Sequence, residues 1–223
     1  AAELFANSEA LARYARAIKG LDEAVLIGDM EATTHVGACQ GAARVHLRIG
    51  DYANLQAAAT RMLEIAVTPA DRAEAIRLMS QGHLHTGELD TANRLLAQAA
   101  ELVGDAESTG PHREVAGRLA YDRADVSYRL GQNDGASQHI TIGRLHSRAY
   151  PAEIIRLDIL EGRLEHTRGQ FERASALYEK AHKAARSAGS LSEEALTSNY
   201  MGNAARDSGY YQDAEAYFLR ALQ

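Results

Sequence analysis

The chain has 223 residues, 46% of them hydrophobic and only 6% aromatic, a net charge of −6 and one cysteine, Cys39. The acidic balance argues against a general nucleic-acid binder, and a single cysteine excludes a disulfide framework and fits a reducing, cytoplasmic setting. No run approaches the roughly 18 apolar residues of a membrane span, and no signal peptide is visible, so we expect no membrane partner.

Every segment has the apolar spacing of a helix, and helix ends are marked by glycine, proline or capping residues. Thr68 and Pro69 start one helix, Pro151 starts another, and Ser190 with Glu193 has the spacing of a capping box. Gly104 to Pro111 is the longest turn-rich stretch. Helices are predicted at 3–27, 29–49, 52–66, 69–86, 89–103, 112–130, 133–147, 151–168, 171–187, 190–208 and 211–222.

An internal repeat organises these helices. Five helix-ending glycines are separated by 37, 44, 38 and 40 residues: Gly50, Gly87, Gly131, Gly169 and Gly209. In the two fullest copies an aromatic residue follows at +2 and +9, and alanine at +5 and +12. These are Gly169/Phe171/Ala174/Tyr178/Ala181 and Gly209/Tyr211/Ala214/Phe218/Ala221. Seven residues before each glycine lies a small residue, which predicts a close helix crossing: Ala43, Ser80, Ala124, Gly162 and Gly202.

This pattern resembles the tetratricopeptide repeat (TPR) family over roughly residues 30–222. The period near 40 exceeds the family's usual 34, and the usual aromatic near the start of the first helix is absent. The longer period is similar to the superhelical sensor domains of large bacterial regulators, such as maltotriose-responsive transcription activators and related signalling ATPases. The resemblance implies an all-α fold, a right-handed superhelical solenoid of antiparallel helix pairs.

The repeats predict one continuous solenoid over residues 1–223. It comprises a half repeat at 3–27 and full repeats at about 30–67, 68–104, 111–148, 151–188 and 190–222. Since the chain starts without methionine and ends two residues after a complete signature, we expect it to be a piece of a longer protein.

The sequence offers few candidates for chemistry. His35, Cys39 and His46 lie near one helix face, but their spacing matches no closed zinc motif, so we interpret them as a small polar face within a helix pair. His83 and His85 point to different sides of a helix and cannot share a metal. The helical carboxylates Asp122 and Asp125 are expected to be solvated. We therefore predict no enzyme activity, no cofactor and no metal site.

The resemblance implies that the first helix of each pair lines a groove. The groove positions on each first helix lie 13, 10, 6 and 3 residues before the helix-ending glycine, and these positions are rich in arginine. Because arginine binds carboxylates bidentately and asparagine can hold a peptide backbone, they predict a groove for an anion or peptide. The candidate residues are Arg44, Arg77, Gln81, Arg118, Tyr121, Tyr128, Arg156, Arg163, His166, Asn199, Asn203 and Arg206.

Two functions fit these features. The first is a non-catalytic scaffold that binds a protein or peptide partner, acidic or carboxylate-terminated, in a basic concave groove. The alternative is a ligand-sensing regulatory domain of a bacterial signalling or transcription regulator. A scaffold predicts an open groove, whereas a sensor predicts a closed pocket.

Overall fold

The structure is a computed structural model that describes residues 2–23, 29–104 and 111–222; over these ranges it contains eleven α-helices and no strand. The helices are α1 (Ala2–Glu23), α2 (Asp29–Ile49), α3 (Tyr52–Ile65), α4 (Pro69–Thr86), α5 (Leu89–Val103), α6 (Pro111–Arg129), α7 (Asn133–His146), α8 (Pro151–Thr167), α9 (Phe171–Ser187), α10 (Leu191–Asp207) and α11 (Tyr211–Ala221). Short turns join the packed pairs α2–α3, α4–α5, α8–α9 and α10–α11. The predicted all-α fold of consecutive helix pairs is confirmed.

The predicted helix boundaries agree with the structure to within one or two residues wherever it describes the chain. The end of the predicted helix 3–27 and the turn-rich stretch after Gly104 lie outside the described residues. Among the described helices, none is both long and apolar enough to span a bilayer.

Local chemistry explains the helix ends. The five helix-ending glycines have φ between 73° and 86°, a left-handed conformation that a side chain would strain. At the start of α4, the Thr68 hydroxyl accepts a hydrogen bond from the Asp71 amide at 3.1 Å, as predicted. Ser190 occupies the N-cap of α10, but its hydroxyl bonds the Glu193 carboxylate rather than a backbone amide, so the predicted capping box forms only in part.

The small residues seven before each glycine lie at close helix crossings. Ala43, Ser80 and Ala124 are fully buried. At Gly162 an added methyl group would lie 2.4 Å from ring carbon Cε1 of Tyr178 on α9. At Gly202 it would lie 2.5 Å from Cε1 of Phe218 on α11. The large residue at +9 therefore packs against a gap left in the first helix of its own pair.

The chain divides into two compact units, Ala1–Val115 and Ala116–Gln223. The first has a core in which α2, α3 and α4 meet, centred on Cys39, Leu55 and Leu78. The second has buried clusters between successive helices from α6 to α11, with Leu157 and Tyr178 among their largest members. First helices of adjacent pairs also contact each other directly: α2 contacts α4 and α8 contacts α10. Ala124 of α6 packs in one buried cluster with Leu157 and Leu160 of α8.

Candidate functional site

The predicted groove residues lie on first helices, and we call this surface the first-helix face: α2 and α4 in the first unit, α6, α8 and α10 in the second. In the first unit a buried carboxylate occupies its centre. Glu74, 1% exposed, accepts hydrogen bonds from Arg77 Nε at 2.7 Å, Arg44 Nη2 at 3.0 Å and Gln40 Nε2 at 3.1 Å. Because Arg77 is itself only 6% exposed, it is tied to Glu74 instead of facing a ligand. Gln81 is also buried, whereas Arg44 remains exposed at the edge.

In the second unit Asp125 has the same role. Its carboxylate accepts hydrogen bonds from Arg129 Nε at 2.9 Å and from Arg163 Nη1 at 3.1 Å, and the residue is 4% exposed. Asp122 is 1% exposed. The expectation that both carboxylates are solvated was wrong, because a helix inside an array of pairs is covered on several sides.

Aromatic rings contact two of the candidate arginines in the second unit, Arg156 and Arg163. The guanidinium carbon of Arg156 lies 4.0 Å from the ring centre of Tyr121. That of Arg163 lies 4.5 Å from the Tyr128 ring and 5.8 Å from the Tyr200 ring. Such cation–π contacts hold a flexible side chain in one orientation. Burial opposes the charge of Arg163, but the neighbouring Tyr200 and Asp125 outweigh it and raise its pKa, so this group stays a cation.

A tyrosine from a second helix lies beneath this cluster. The Tyr178 ring stacks on Tyr200 with their centres 5.4 Å apart, in the space that Gly162 leaves open. Its hydroxyl is buried without a hydrogen-bond partner among the described residues, and burial raises its pKa. Sequence reasoning identified Tyr178 as a packing residue but missed Tyr200, which lies one position from the predicted face residue Asn199. Tyr200 on α10 therefore contacts both the Tyr178 ring of α9 and the guanidinium group of Arg163 on α8.

The remaining predicted residues lie toward the open edge of the face. His166 Nε2 lies 3.0 Å from Asp207 Oδ2, and Arg206 Nε lies 2.9 Å from Asp207 Oδ1. The hydrogen bond from Arg206 is the main cause of the lowered pKa of Asp207. Asn199 is exposed and Asn203 half-buried on α10. Arg118 is half-buried on α6.

The histidines and the cysteine make local contacts. Cys39 is fully buried, and burial raises its pKa to about 11, so it is not a nucleophile at neutral pH. His35, also buried, lies 3.2 Å from Asp22, and His46 lies 3.2 Å from Asp51. His83 pairs with Glu88, while His85 stacks on Tyr52. No three metal-binding side chains gather in the part of the chain that the structure describes.

Comparison with known proteins identifies the fold. No protein-family model matches the sequence, and no curated protein sequence is significantly similar to it. In structure the chain is similar to BtubC from P. vanneervenii, with a TM-score of 0.73 and 16% identity over 97% of this chain and 90% of that one. It is similar to the apo form of RapI, with a TM-score of 0.70 and 15% identity over 95% and 74%. For aspartyl phosphate phosphatase F from Bacillus subtilis the TM-score is 0.66, with 14% identity over 86% and 50%. Together with the glycine and alanine signature, these likenesses show that the chain has a TPR-like fold of packed helix pairs.

Proposed function

We propose that this chain is a repeat scaffold that binds a protein or peptide partner on the first-helix face of its second unit. The observation that carries the proposal is the ordered cluster of Tyr121, Tyr128, Arg156, Arg163 and Tyr200. Rings and guanidinium groups that are already fixed lose little entropy on binding, and tyrosine and arginine are the residues that most often dominate interfaces.

The proposed ligand is an acidic or carboxylate-terminated segment. The predicted face positions of α6, α8 and α10 contain four arginines and a single carboxylate, Asp125, in a chain whose net charge is −6. Asp125 offsets part of that charge through Arg163 and Arg129. Exposed Asn199, which precedes Tyr200 in the sequence, supplies an amide donor and acceptor, which suits a peptide backbone.

The experiment adds negative charge without breaking a buried ion pair. Asn199→Asp with Asn203→Asp places two carboxylates on the face, and the matched control, Gln138→Glu with Gln212→Glu, places two on exposed positions of α7 and α11. The probes are labelled ten-residue acidic peptides with a free carboxyl terminus, and the same peptides amidated. Binding is measured by fluorescence anisotropy at about 0.05 M and 0.3 M salt.

We expect the face variant to bind roughly tenfold more weakly at low salt, the control to bind as the parent chain does, and affinity to fall with salt. The free-carboxyl peptides should bind better than the amidated ones. Equal loss in both variants, or binding that does not respond to salt, would contradict an anion-binding face.

A further inference from the structure

The cleft between α7 and α8 has features of a second docking surface. It has a volume of about 550 Å³, and its lining comes from α7, the turn after it and α8. We call it the α7–α8 cleft. It lies within the second unit, and none of the residues proposed above to bind the peptide lines it. We propose that it binds an acidic amphipathic helix of a partner protein.

The floor of the α7–α8 cleft is apolar. Ile140 and Leu164 are buried at its base, while Ile142 and Leu145 are each 43% exposed along its wall. Two large aliphatic side chains three residues apart form a stripe on one side of α7. Exposed apolar side chains grouped in a concave surface are typical of an interaction site, unlike the same residues scattered singly.

The rim of the cleft is basic and partly fixed. Arg144 is bound at 2.6 Å to the buried carboxylate of Asp158 and also bonds Glu161. Arg168 bonds Glu165 at 2.7 Å and the Ser137 hydroxyl at 3.1 Å.

The third rim cation, Arg148, is exposed and pairs with none of the described carboxylates. Both lining carboxylates, Glu161 and Glu165, are therefore engaged by arginines, and a cation remains at the mouth. This charge favours an acidic partner over a basic one.

The length of the cleft fits a helix. On α7 the lining extends from Ser137 to Leu145, which at 1.5 Å per residue is about 12 Å, or roughly two helical turns, and Arg148 continues it in the turn after α7. Its α8 side extends from Glu161 to Arg168. A partner helix with apolar residues at i, i+3, i+4 and i+7 would bury that stripe against Ile142 and Leu145, and its acidic flanks would meet the arginines.

The test uses the whole chain and a defined probe. The probe is a labelled amphipathic helix of about 18 residues, with leucine at i, i+3, i+4 and i+7 and mainly glutamate elsewhere. A second peptide keeps the leucines and replaces glutamate with lysine. We expect the acidic peptide to bind at least about tenfold more tightly in an anisotropy titration. Equal binding of the two peptides, or no binding of the acidic one, would overturn the proposal.

Variants locate the binding. Ile142→Glu and Arg148→Glu should each weaken binding of the acidic peptide by about fivefold or more. The matched controls Leu191→Glu and Arg186→Glu, also exposed but outside the cleft, should not change it. Circular dichroism melts verify that each variant is folded. Because Arg148 is exposed, its reversal leaves the fold intact even if Ile142→Glu does not. Unchanged binding by Arg148→Glu would overturn the proposal.

Cross-linking distinguishes this cleft from the first-helix face. Cys39 is fully buried, so a cysteine introduced at exposed Thr141 can be labelled selectively with a photoreactive maleimide. The matched site is Asn199→Cys on α10. The acidic helix should cross-link from position 141 and not from position 199. Cross-linking from position 199 alone would assign this peptide to the first-helix face and overturn the proposal, while leaving the proposed function intact.

Discussion

At the residue scale, three glycines on first helices each lie directly against an aromatic ring of a neighbouring helix. Gly162 faces Tyr178, Gly202 faces Phe218, and in the first unit Gly41 faces Tyr14. In each case ring atoms occupy the volume of a β-carbon, so the two helices approach more closely than any other residue would allow. In the second unit, the Tyr178 ring that lies against Gly162 also stacks on the Tyr200 ring. Packing and the candidate binding face are therefore coupled through Gly162.

Gly162→Ala should destabilise the chain. The new methyl group would lie 2.4 Å from the Tyr178 ring, and overpacking of this kind costs roughly 1–3 kcal/mol, more than alanine's gain in helix propensity of about 1 kcal/mol. Gly37→Ala on α2 is the control, since a methyl group there meets no described atom within 4 Å and should be neutral or stabilising. Urea denaturation measures both. Equal changes in the two unfolding free energies would refute the packing argument.

His139 on α7 should make stability depend on pH. Burial, and then the nearby charge of Arg123, lower its pKa to about 4, whereas an unfolded histidine titrates near 6.5. As the pH falls from about 6.5 to about 4, the unfolded state binds the proton first. The free energy of unfolding therefore falls over that window and is fully retained above it.

The comparison of His139→Gln with the parent chain isolates this effect from titrating carboxylates. Between pH 7 and pH 5, the melting temperature of the parent chain should fall more than that of the variant. A variant with the same pH dependence as the parent would show that folding does not lower the pKa of His139.

At the element scale, one buried carboxylate connects three consecutive helices. Asp158 on α8 is 1% exposed and lies 2.6 Å from Arg144 on α7 and 3.0 Å from Lys180 on α9. Apolar packing specifies which helices meet, but it tolerates sliding along their length. The ion pairs of Asp158 also fix the position of each helix along its axis. A shift of one turn would leave the buried carboxylate without a cation.

Asp158→Ala should therefore be costly. Removing one partner of a buried pair typically costs 3–5 kcal/mol, and because Arg144 is 30% exposed and Lys180 60% exposed, we expect about 2–3 kcal/mol. Glu64→Ala is the control: it removes the exposed pair with Arg61, which should contribute less than about 1 kcal/mol. Chemical denaturation measures both differences. A loss from Asp158→Ala no larger than that from Glu64→Ala would contradict a structural role for the network.

The sequence predicted the elements well because their ends depend on neighbouring residues. A glycine with positive φ, or a threonine before a proline, acts within one turn of the chain. The ion pairs of the first-helix face could not be predicted in the same way. Asp125 and Arg163 are 38 residues apart, and each looks solvated on its own helix. Only stacking brings them together, which is why the arginines were found while their partners Glu74 and Asp125 were not assigned to them.

At the scale of the whole molecule, the chain has two sets of buried cores. Leu78 belongs to the core of the first unit, and Leu160 to a cluster of the second. Arrays of repeats are stabilised mainly by contacts between neighbouring repeats, so damage at one position need not unfold the rest. The single continuous solenoid inferred from the repeat period remains a prediction, and the spread of local unfolding along the chain tests it.

Leu78→Ala and Leu160→Ala remove equivalent buried side chains, each at a cost of roughly 2–5 kcal/mol. By native-state hydrogen exchange, we expect Leu78→Ala to accelerate exchange in α2 to α5 and to leave α8 to α10 unchanged, with the reverse for Leu160→Ala. If both substitutions accelerate exchange equally in both units, the chain unfolds as one cooperative body. If each substitution instead accelerates exchange only in its own unit, a ligand on the first-helix face of the second unit should stabilise α6 to α11 alone. Binding energy protects only the segments that unfold together with the site.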